Sequence, residues 1–210
     1  MLRHLHLSNI VNMASDSINL PVQLTREYAD EDKTLIDNFI KGDNQAFDLI
    51  VEKHADDIAA LANRMLGWPG DVDDITQEVF LSALLNIKKF KQNCSLKTWL
   101  FTITINKCRS LRLKIANRKR LLFSAARSGD LNISDSCKTN EYNEDRNAKI
   151  RSCVTKLPNK YREPVVLHYL QQLETNDICD ILGITKNTLR VRLSRARKIL
   201  KNDLSKLFED

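Results

Sequence analysis

Apolar side chains recur every three or four residues along two stretches of this chain, and that spacing predicts helices. The first stretch runs from residue 33 to about residue 119. It is broken at Gly42, at Trp68-Pro69-Gly70 and in a polar loop from Lys91 to Ser95, so we expect four successive helices there. The second stretch begins near Ala148 and continues towards the C-terminus.

One segment of the first stretch is ambiguous between helix and strand. Phe101-Thr102-Ile103-Thr104-Ile105 alternates and consists of residues that are common in strands. We predict a helix from Trp99 to about Ile115 instead, because the surrounding pattern is helical and no second candidate strand exists to pair with it.

The rest of the chain predicts two irregular segments. Residues 1–32 are mixed and weakly periodic, which predicts a flexible N-terminal tail. Residues 118–147 are polar with few apolar anchors, which predicts a flexible linker. The expected fold class is therefore all-α, with two small helical domains, 33–117 and 148–210, joined by this polar linker.

The second domain ends in a pattern of two helices joined by a turn. Apolar residues recur at helical spacing up to Leu182, and Gly183 can adopt the left-handed conformation of a turn at little cost. Thr185 is a suitable N-cap for the next helix. Four apolar residues then form one stripe: Leu189, Leu193, Ala196 and Leu200. The outward side carries basic and amide groups, so this pattern predicts a DNA-binding helix-turn-helix, although a basic stripe alone is more often a solvated face.

Charge is unevenly distributed along the first domain. The chain has a formal net charge of +6, a modest excess. Acidic side chains concentrate in residues 43–78, and basic side chains concentrate in residues 88–120. This separation predicts two different partners for the first domain, one basic and one acidic.

Neither a metal site nor an enzyme active site is indicated. The five cysteines are odd in number and scattered, without a C-x-x-C pair, which argues against a disulfide framework or a zinc site and for a reducing cytoplasm. His4 and His6 form an H-x-H pair, but no further ligand lies near them in the sequence. No Gly-rich phosphate loop is present, and His54 and His168 lack catalytic partners, so we expect no cofactor and no catalysis. No run approaches the ~20 apolar residues that a membrane span needs.

Four short motifs occur in order along the chain, two in each predicted domain. The first domain contains Asp73-Asp74-Ile75-Thr76-Gln77-Glu78-Val79-Phe80, and Ser95-Leu96-Lys97-Thr98-Trp99-Leu100 with Asn106. The second contains Leu157-Pro158-Asn159-Lys160-Tyr161-Arg162-Glu163, and Gly183-Ile184-Thr185 with Thr188 and Arg192-Leu193-Ser194-Arg195-Ala196-Arg197. In that order they resemble the D-D-x-x-Q-E-x-F, S-x-x-T-W-L…N, L-P-x-x-Y-R-E and helix-turn-helix signatures of bacterial RNA polymerase sigma factors of the extracytoplasmic-function (ECF) class, in the sigma-70 family.

The resemblance implies a promoter-specificity subunit of RNA polymerase, which is not itself an enzyme. In the family, the first domain (region 2) docks on a coiled coil of the largest catalytic subunit and captures unstacked bases of the −10 promoter element. The second domain (region 4) recognises the duplex −35 element. Many relatives are held by an anti-sigma factor, which is a further partner that the resemblance allows. The runner-up hypothesis is a free-standing helix-turn-helix regulator, which would not need the two motifs of the first domain.

Three sets of site residues follow from the resemblance. The polymerase-docking set is Asp73, Asp74, Gln77, Glu78 and Phe80. The −10 set is Asn93, Cys94, Ser95, Lys97, Trp99, Asn106, Lys107 and Arg109, with Arg112 as a further backbone contact. The −35 set is Lys186, Asn187, Thr188, Arg190, Val191, Arg192, Ser194, Arg195 and Arg197.

Within these sets some roles have structural alternatives. Asp73 and Asp74 could favour only the N-terminus of their own helix. Phe80 and Trp99 could belong to the core, and Asn106 could be satisfied locally. In the −35 set, Arg190 and Arg195 are expected at base edges, Val191 and Ser194 in close contact with bases, and the remainder on phosphates. Arg197 could instead pair with an acidic neighbour, and Asn187 stands where the family commonly has Gly.

Overall fold

The structure is a computed structural model that describes residues 22–126 and 146–208, with the side chains of residues 31–122 and 150–205. Over these residues it is helical and contains no strand, which confirms the all-α fold class. The helices are α1 (Val22–Ile40), α2 (Asn44–Leu66), α3 (Val72–Asn86), α4 (Leu96–Ala126), α5 (Arg146–Lys156), α6 (Asn159–Val165), α7 (Thr175–Leu182) and α8 (Lys186–Phe208). A 3₁₀ turn (Ile87–Lys89) follows α3, and a π turn (Val166–Leu170) follows α6. His4 and His6 lie outside the described residues.

Helices α1 to α4 pack around one apolar core. Ile50, Ile58 and Leu61 of α2 and Leu100 and Phe101 of α4 are completely buried. At the N-terminus of α2 the Asp43 carboxylate accepts the amide N–H of Gln45 at 3.0 Å, and at its C-terminus Gly67 ends the helix in the left-handed conformation, with φ of 84°. None of the described helices is long and apolar enough to cross a membrane.

Helix α4 accommodates the threonine-rich segment that also has strand propensity. The Thr102 hydroxyl donates to the carbonyl of Thr98, and the Thr104 hydroxyl donates to that of Leu100, both at 2.9 Å. These bonds satisfy the polar groups of β-branched residues inside a helix. The predicted helix is confirmed, but it continues through Ala126, so the prediction of a linker beginning at residue 118 is wrong. Sequence periodicity missed the extension because Leu121 and Leu122, its first apolar side chains, are exposed and add no buried stripe to the pattern.

Helix α1 also begins earlier than expected. It starts at Val22, so residues 22–32 are not part of a flexible tail. Asp32 is buried against α2, where its carboxylate lies 2.8 Å from Lys53 Nζ and 3.3 Å from His54 Nε2. Burial alone would raise the pKa of Asp32, but the hydrogen bonds from His54 and Lys53 outweigh it and lower the pKa. Polar contacts rather than an apolar stripe hold this turn of α1, which explains why the sequence pattern did not reveal it.

Helices α6 and α7 both pack against α8, and α7 and α8 form the predicted helix-turn-helix. Gly183 has φ of 63°, the left-handed conformation expected at the turn between α7 and α8. The Thr185 hydroxyl accepts the amide N–H of Thr188 at 3.2 Å, which confirms the predicted N-cap. The predicted apolar stripe of α8 faces the core, with Leu189 and Ala196 almost fully buried.

The two helical units touch each other along α4 and the C-terminal end of α2. Helix α4 packs against α7, and α2 packs against α5 and the π turn. The Arg64 guanidinium donates to the carbonyl of Leu170 at 2.7 Å. Gly67 lies so close to α5 that a Cβ added to it would stand 2.4 Å from Cγ2 of Thr155. The units therefore meet in a specific, close-packed interface.

Candidate nucleic-acid interface

The outward face of α8 is basic and exposed, as the sequence predicted. Lys186, Asn187, Arg190, Val191, Ser194, Arg195 and Arg197 are all exposed. Thr188 and Arg192 are half-buried, and the Thr188 hydroxyl lies 3.0 Å from that of Thr185. Among the described residues Arg197 forms no ion pair, so the alternative that it pairs with an acidic neighbour is wrong there. The face offers guanidinium and amide donors to a partner without internal competition from carboxylates.

A cleft that the sequence analysis did not foresee lies beside this face. It has a volume of about 330 Å³ and is lined by Lys160, Tyr161, Asn187, Thr188, Val191, Arg192 and Arg195. The Lys160 ammonium lies 5.0 Å from the centre of the Tyr161 ring. Hydrogen bonding to Arg195 lowers the pKa of the Tyr161 phenol, and Lys160 contributes to the same shift. No carboxylate lines the cleft, so its chemistry suits an anion.

In the −10 set, Asn106 is exposed and Trp99 is not. The Asn106 amide oxygen accepts a hydrogen bond from Arg109 Nη1 at 3.3 Å, which leaves the amide N–H groups available. Trp99 is half-buried and stacks on Phe90 with ring centres 4.9 Å apart, so it forms an apolar wall beside the residues predicted to bind the −10 element. Asn93 is exposed and Cys94 is half-buried, while Ser95 caps α4 by accepting the amide N–H of Thr98 at 3.1 Å.

The cations of the −10 set are all engaged within the chain. Lys97 pairs with Asp57 at 2.5 Å and Lys107 pairs with Glu78 at 3.1 Å, but these pairs are well exposed and stabilise little. Arg109 instead forms an ion pair with Glu163 of α6, whose side chain is only 4 % exposed. Arg112 donates to the carbonyls of Met65 and Leu66 at 3.0 and 3.3 Å, so it caps the C-terminus of α2.

The docking set lies along α3, with one exception. Asp73, Asp74, Gln77 and Glu78 are exposed, whereas Phe80 is 7 % exposed and belongs to the core. The apolar side chains on the exposed side are Leu81, Leu84 and Leu85, which are 58, 39 and 70 % exposed. Sequence reasoning missed them, although their spacing puts them on the same side of the helix: Leu81 follows Gln77 by four residues and Glu78 by three, and Leu84 and Leu85 follow Leu81 by three and four.

Over the residues that the structure describes, no cluster of His, Cys, Asp and Glu could hold a metal ion. Cys94, Cys108, Cys153 and Cys179 are free thiols. Burial raises the pKa of Cys108 to about 12, so this thiol is inert at neutral pH.

Comparisons with known proteins agree with this geometry. The family models of Sigma-70 region 2 and of Sigma-70 region 4 match residues 50–118 and 147–200. The ECF RNA polymerase sigma factor SigW of Bacillus subtilis is 33% identical over 178 residues, which cover 80% of this chain and 93% of SigW. The ECF RNA polymerase sigma-E factor of Escherichia coli K12 is 27% identical over 184 residues, 84% of this chain and 96% of that protein.

A solved structure of the sigma factor CnrH, in complex with the cytosolic domain of CnrY, has the same fold. Its TM-score is 0.61 at 26% identity, and the match covers 84% of this chain and 98% of CnrH. Both helical units are matched in order, and SigW is similar over almost its whole length. This chain therefore belongs to the ECF class of the sigma-70 family, whose members are non-enzymatic promoter-specificity subunits of RNA polymerase.

Proposed function

We propose that this sigma factor divides promoter recognition among three of its faces. Helix α8 binds the duplex −35 element, the exposed side of α4 captures unstacked −10 bases, and the exposed side of α3 docks on core polymerase. The observation that carries the proposal is the outward face of α8, which is basic, exposed and free of acidic side chains over its first four turns.

At the −35 element, Arg190 and Arg195 contact base edges. Both guanidiniums are exposed on α8, and a guanidinium fork matches the acceptors of guanine in the major groove. Val191, which is 49 % exposed, provides apolar contact, and Ser194 offers a hydroxyl. Lys186, Asn187, Thr188, Arg192 and Arg197 position the phosphates. The basic cleft adds Lys160 and Tyr161 to the phosphate contacts, because they face the same side of α8 as Arg192.

At the −10 element, Asn106 hydrogen-bonds the edge of an unstacked base. Its exposed amide stands beside half-buried apolar groups, including Trp99 and Ile103, a combination that suits a flipped base. Asn93, Cys94 and Ser95 shape the adjoining loop. Lys97, Lys107 and Arg109 contact the strand's phosphates once DNA replaces their internal carboxylate partners.

Polymerase docking uses the acidic and apolar side of α3. Asp73, Asp74, Gln77 and Glu78 engage basic groups of the partner, and Leu81, Leu84 and Leu85 supply the apolar anchors in place of Phe80. A row of exposed leucines beside carboxylates is an unfavourable surface for a monomer, which supports a protein partner there.

The remaining proposals concern organisation and setting. We divide the chain into a region 2 domain formed by α1 to α4 and a region 4 domain formed by α5 to α8, and we place its action in the cytoplasm with RNA polymerase. CnrH was solved with CnrY, and a sigma factor of Bartonella quintana was solved with an anti-sigma factor. We propose that an anti-sigma factor also binds the present chain.

Reconstitution with bacterial core polymerase on a library of promoters tests the proposal. The account expects a stable complex with core enzyme and initiation at promoters that share two sequence elements. A chain that binds duplex DNA alone but not core polymerase would instead be a free-standing helix-turn-helix regulator.

A further inference from the structure

We propose that the cleft between α6 and α8 is a binding site for a free diphosphate group, and that a diphosphate bound there competes with the −35 duplex. The competition rests on the proposed role of α8. The binding itself follows from the charge, the lining and the size of the cleft, and it can be measured without DNA.

Three cationic side chains line this cleft. Lys160 belongs to the α6 wall, and Arg192 and Arg195 belong to the α8 wall, where a separation of three residues puts them on one side of the helix. Within the described part of the chain none of the three forms an ion pair. Cations gathered in this way repel each other, and a multiply charged anion between them relieves that repulsion.

The Tyr161 phenol links two of these cations. Hydrogen bonding to Arg195 lowers the pKa of the phenol, and Lys160 lowers it further through its charge and a hydrogen bond. The Lys160 ammonium also lies 5.0 Å from the centre of the Tyr161 ring. The phenol therefore holds an ammonium and a guanidinium close together, so that both can donate to the same anion.

The cleft is larger than one phosphate needs. Its volume is about 330 Å³. Liquid water occupies about 30 Å³ per non-hydrogen atom, and on that scale a phosphate takes about 150 Å³ and a diphosphate about 270 Å³. One backbone phosphate of DNA would leave about half of the cleft empty, whereas a diphosphate would nearly fill it.

The charge of the lining also favours a free diphosphate over the DNA backbone. A backbone phosphate of DNA carries a single negative charge. A terminal phosphate carries about −1.5 to −2 at pH 7, so a diphosphate with a free end offers much more charge to the three cations. Inorganic diphosphate and the diphosphate of a nucleotide share this chemistry.

A diphosphate in the cleft blocks contacts that α8 is proposed to make with the −35 duplex. Asn187, Thr188 and Arg192 line the cleft and are assigned to DNA phosphates, and Arg195 is assigned to a base edge. A guanidinium that is engaged by one phosphate group cannot make the same contact with another ligand. Occupancy of the cleft therefore lowers the affinity for the −35 element.

Isothermal titration calorimetry of the full-length protein, at an ionic strength held constant with KCl, measures the binding directly. The ligands are inorganic diphosphate, ADP and inorganic phosphate, with adenosine as the control that lacks phosphate. We expect diphosphate and ADP to bind about tenfold or more tightly than phosphate, because they engage more charged donors. The tighter of the two identifies the source of the diphosphate group. Phosphate that binds as tightly as diphosphate, or adenosine that binds as tightly as ADP, would overturn the assignment.

Two variants remove groups from the lining of the cleft, and a third is their control. Lys160→Ala removes a cation, and Tyr161→Phe removes only the hydroxyl. Lys198→Ala removes an exposed lysine of α8 that lies outside the cleft. Diphosphate binding should weaken about tenfold or more in Lys160→Ala and about threefold in Tyr161→Phe, and Lys198→Ala should bind as wild type does. An equal loss in Lys198→Ala would refute a site in the cleft, because it would show attraction to the basic surface in general.

Competition is measured by fluorescence anisotropy on a labelled duplex that carries a −35 element recovered from the promoter library. Diphosphate should displace the protein from this duplex with an inhibition constant equal to the calorimetric Kd. Diphosphate that binds without displacing the duplex refutes the competition. A failure of the proposed −35 role is recognised separately, because calorimetric binding would then persist while the Arg195→Ala holoenzyme retained wild-type −35 preference.

Discussion

Arg109 and Glu163 lie 54 positions apart in the sequence and form a bidentate ion pair, with N···O distances of 2.7 and 2.6 Å. The pair joins the helix proposed to hold the −10 strand to the unit proposed to hold the −35 duplex. A residue assigned to DNA is therefore bound to another part of the same chain in this structure.

The −35 assignment distinguishes base contacts from phosphate contacts. Arg195→Ala and Arg190→Ala should each cost about 1–3 kcal/mol in binding and relax preference at one −35 position, because a bidentate guanidinium contact is lost. Binding of holoenzyme to a set of single-base promoter variants measures this. An equal loss on every promoter would make the arginine a phosphate contact instead.

For the cleft beside α8 we expect a loss of DNA binding that does not depend on the base sequence. Lys160→Ala should weaken binding almost uniformly across sequences and reduce the slope of log K against log salt by about 1, since one phosphate contact disappears. Lys156→Ala, an exposed lysine outside the cleft, serves as the control. An unchanged salt slope in Lys160→Ala would exclude a phosphate in the cleft.

Substitution of an exposed leucine of α3 tests the proposed docking on core polymerase. Leu85→Asp should reduce affinity for core polymerase by tenfold or more while leaving the free energy of unfolding nearly unchanged, because its side chain is 70 % exposed. Leu113→Asp is a matched control, since Leu113 is 62 % exposed on α4. Titration of labelled sigma factor with core enzyme provides the affinities; equal losses in the two variants would contradict a docking site on α3.

The contact of Asp32 with α2 predicts an acid-dependent contribution to stability. Its pKa is lowered from the value of 3.8 in the unfolded chain, so its stabilising effect is fully present above that value and is lost as the pH falls through the folded pKa. Asp32→Asn should therefore reduce the free energy of unfolding at pH 6, and the difference from wild type should shrink below about pH 4. Urea titrations over this range measure it, and a difference that grows in acid would contradict the assignment.

Local patterns predicted the helix-turn-helix well because each feature involves neighbouring residues. The stripe through Leu189 and Ala196, the turn at Gly183 and the cap at Thr185 all depend on separations of a few positions. Phe80 was misplaced for a related reason: a motif match fixes which residue is present but not which side of α3 it faces.

The contacts between the helical units could not be predicted in the same way. The Arg109–Glu163 pair and the approach of Gly67 to Thr155 join positions that no periodic pattern connects. Lys160 and Tyr161 were recognised as part of a motif, but their place beside α8 depends on how α6 packs. Such relationships need the tertiary structure because they arise from packing between helices rather than within one.

The most direct test of the whole account uses reconstituted holoenzyme and a promoter library randomised at both elements. Arg195→Ala should alter preference only at a −35 position, and Asn106→Ala should alter preference only within the −10 element, because the two side chains lie on separate units. The division of promoter recognition between α8 and α4 would be contradicted if both variants altered preference within the same element. It would also be contradicted if Arg195→Ala left the −35 preference unchanged and Asn106→Ala left the −10 preference unchanged.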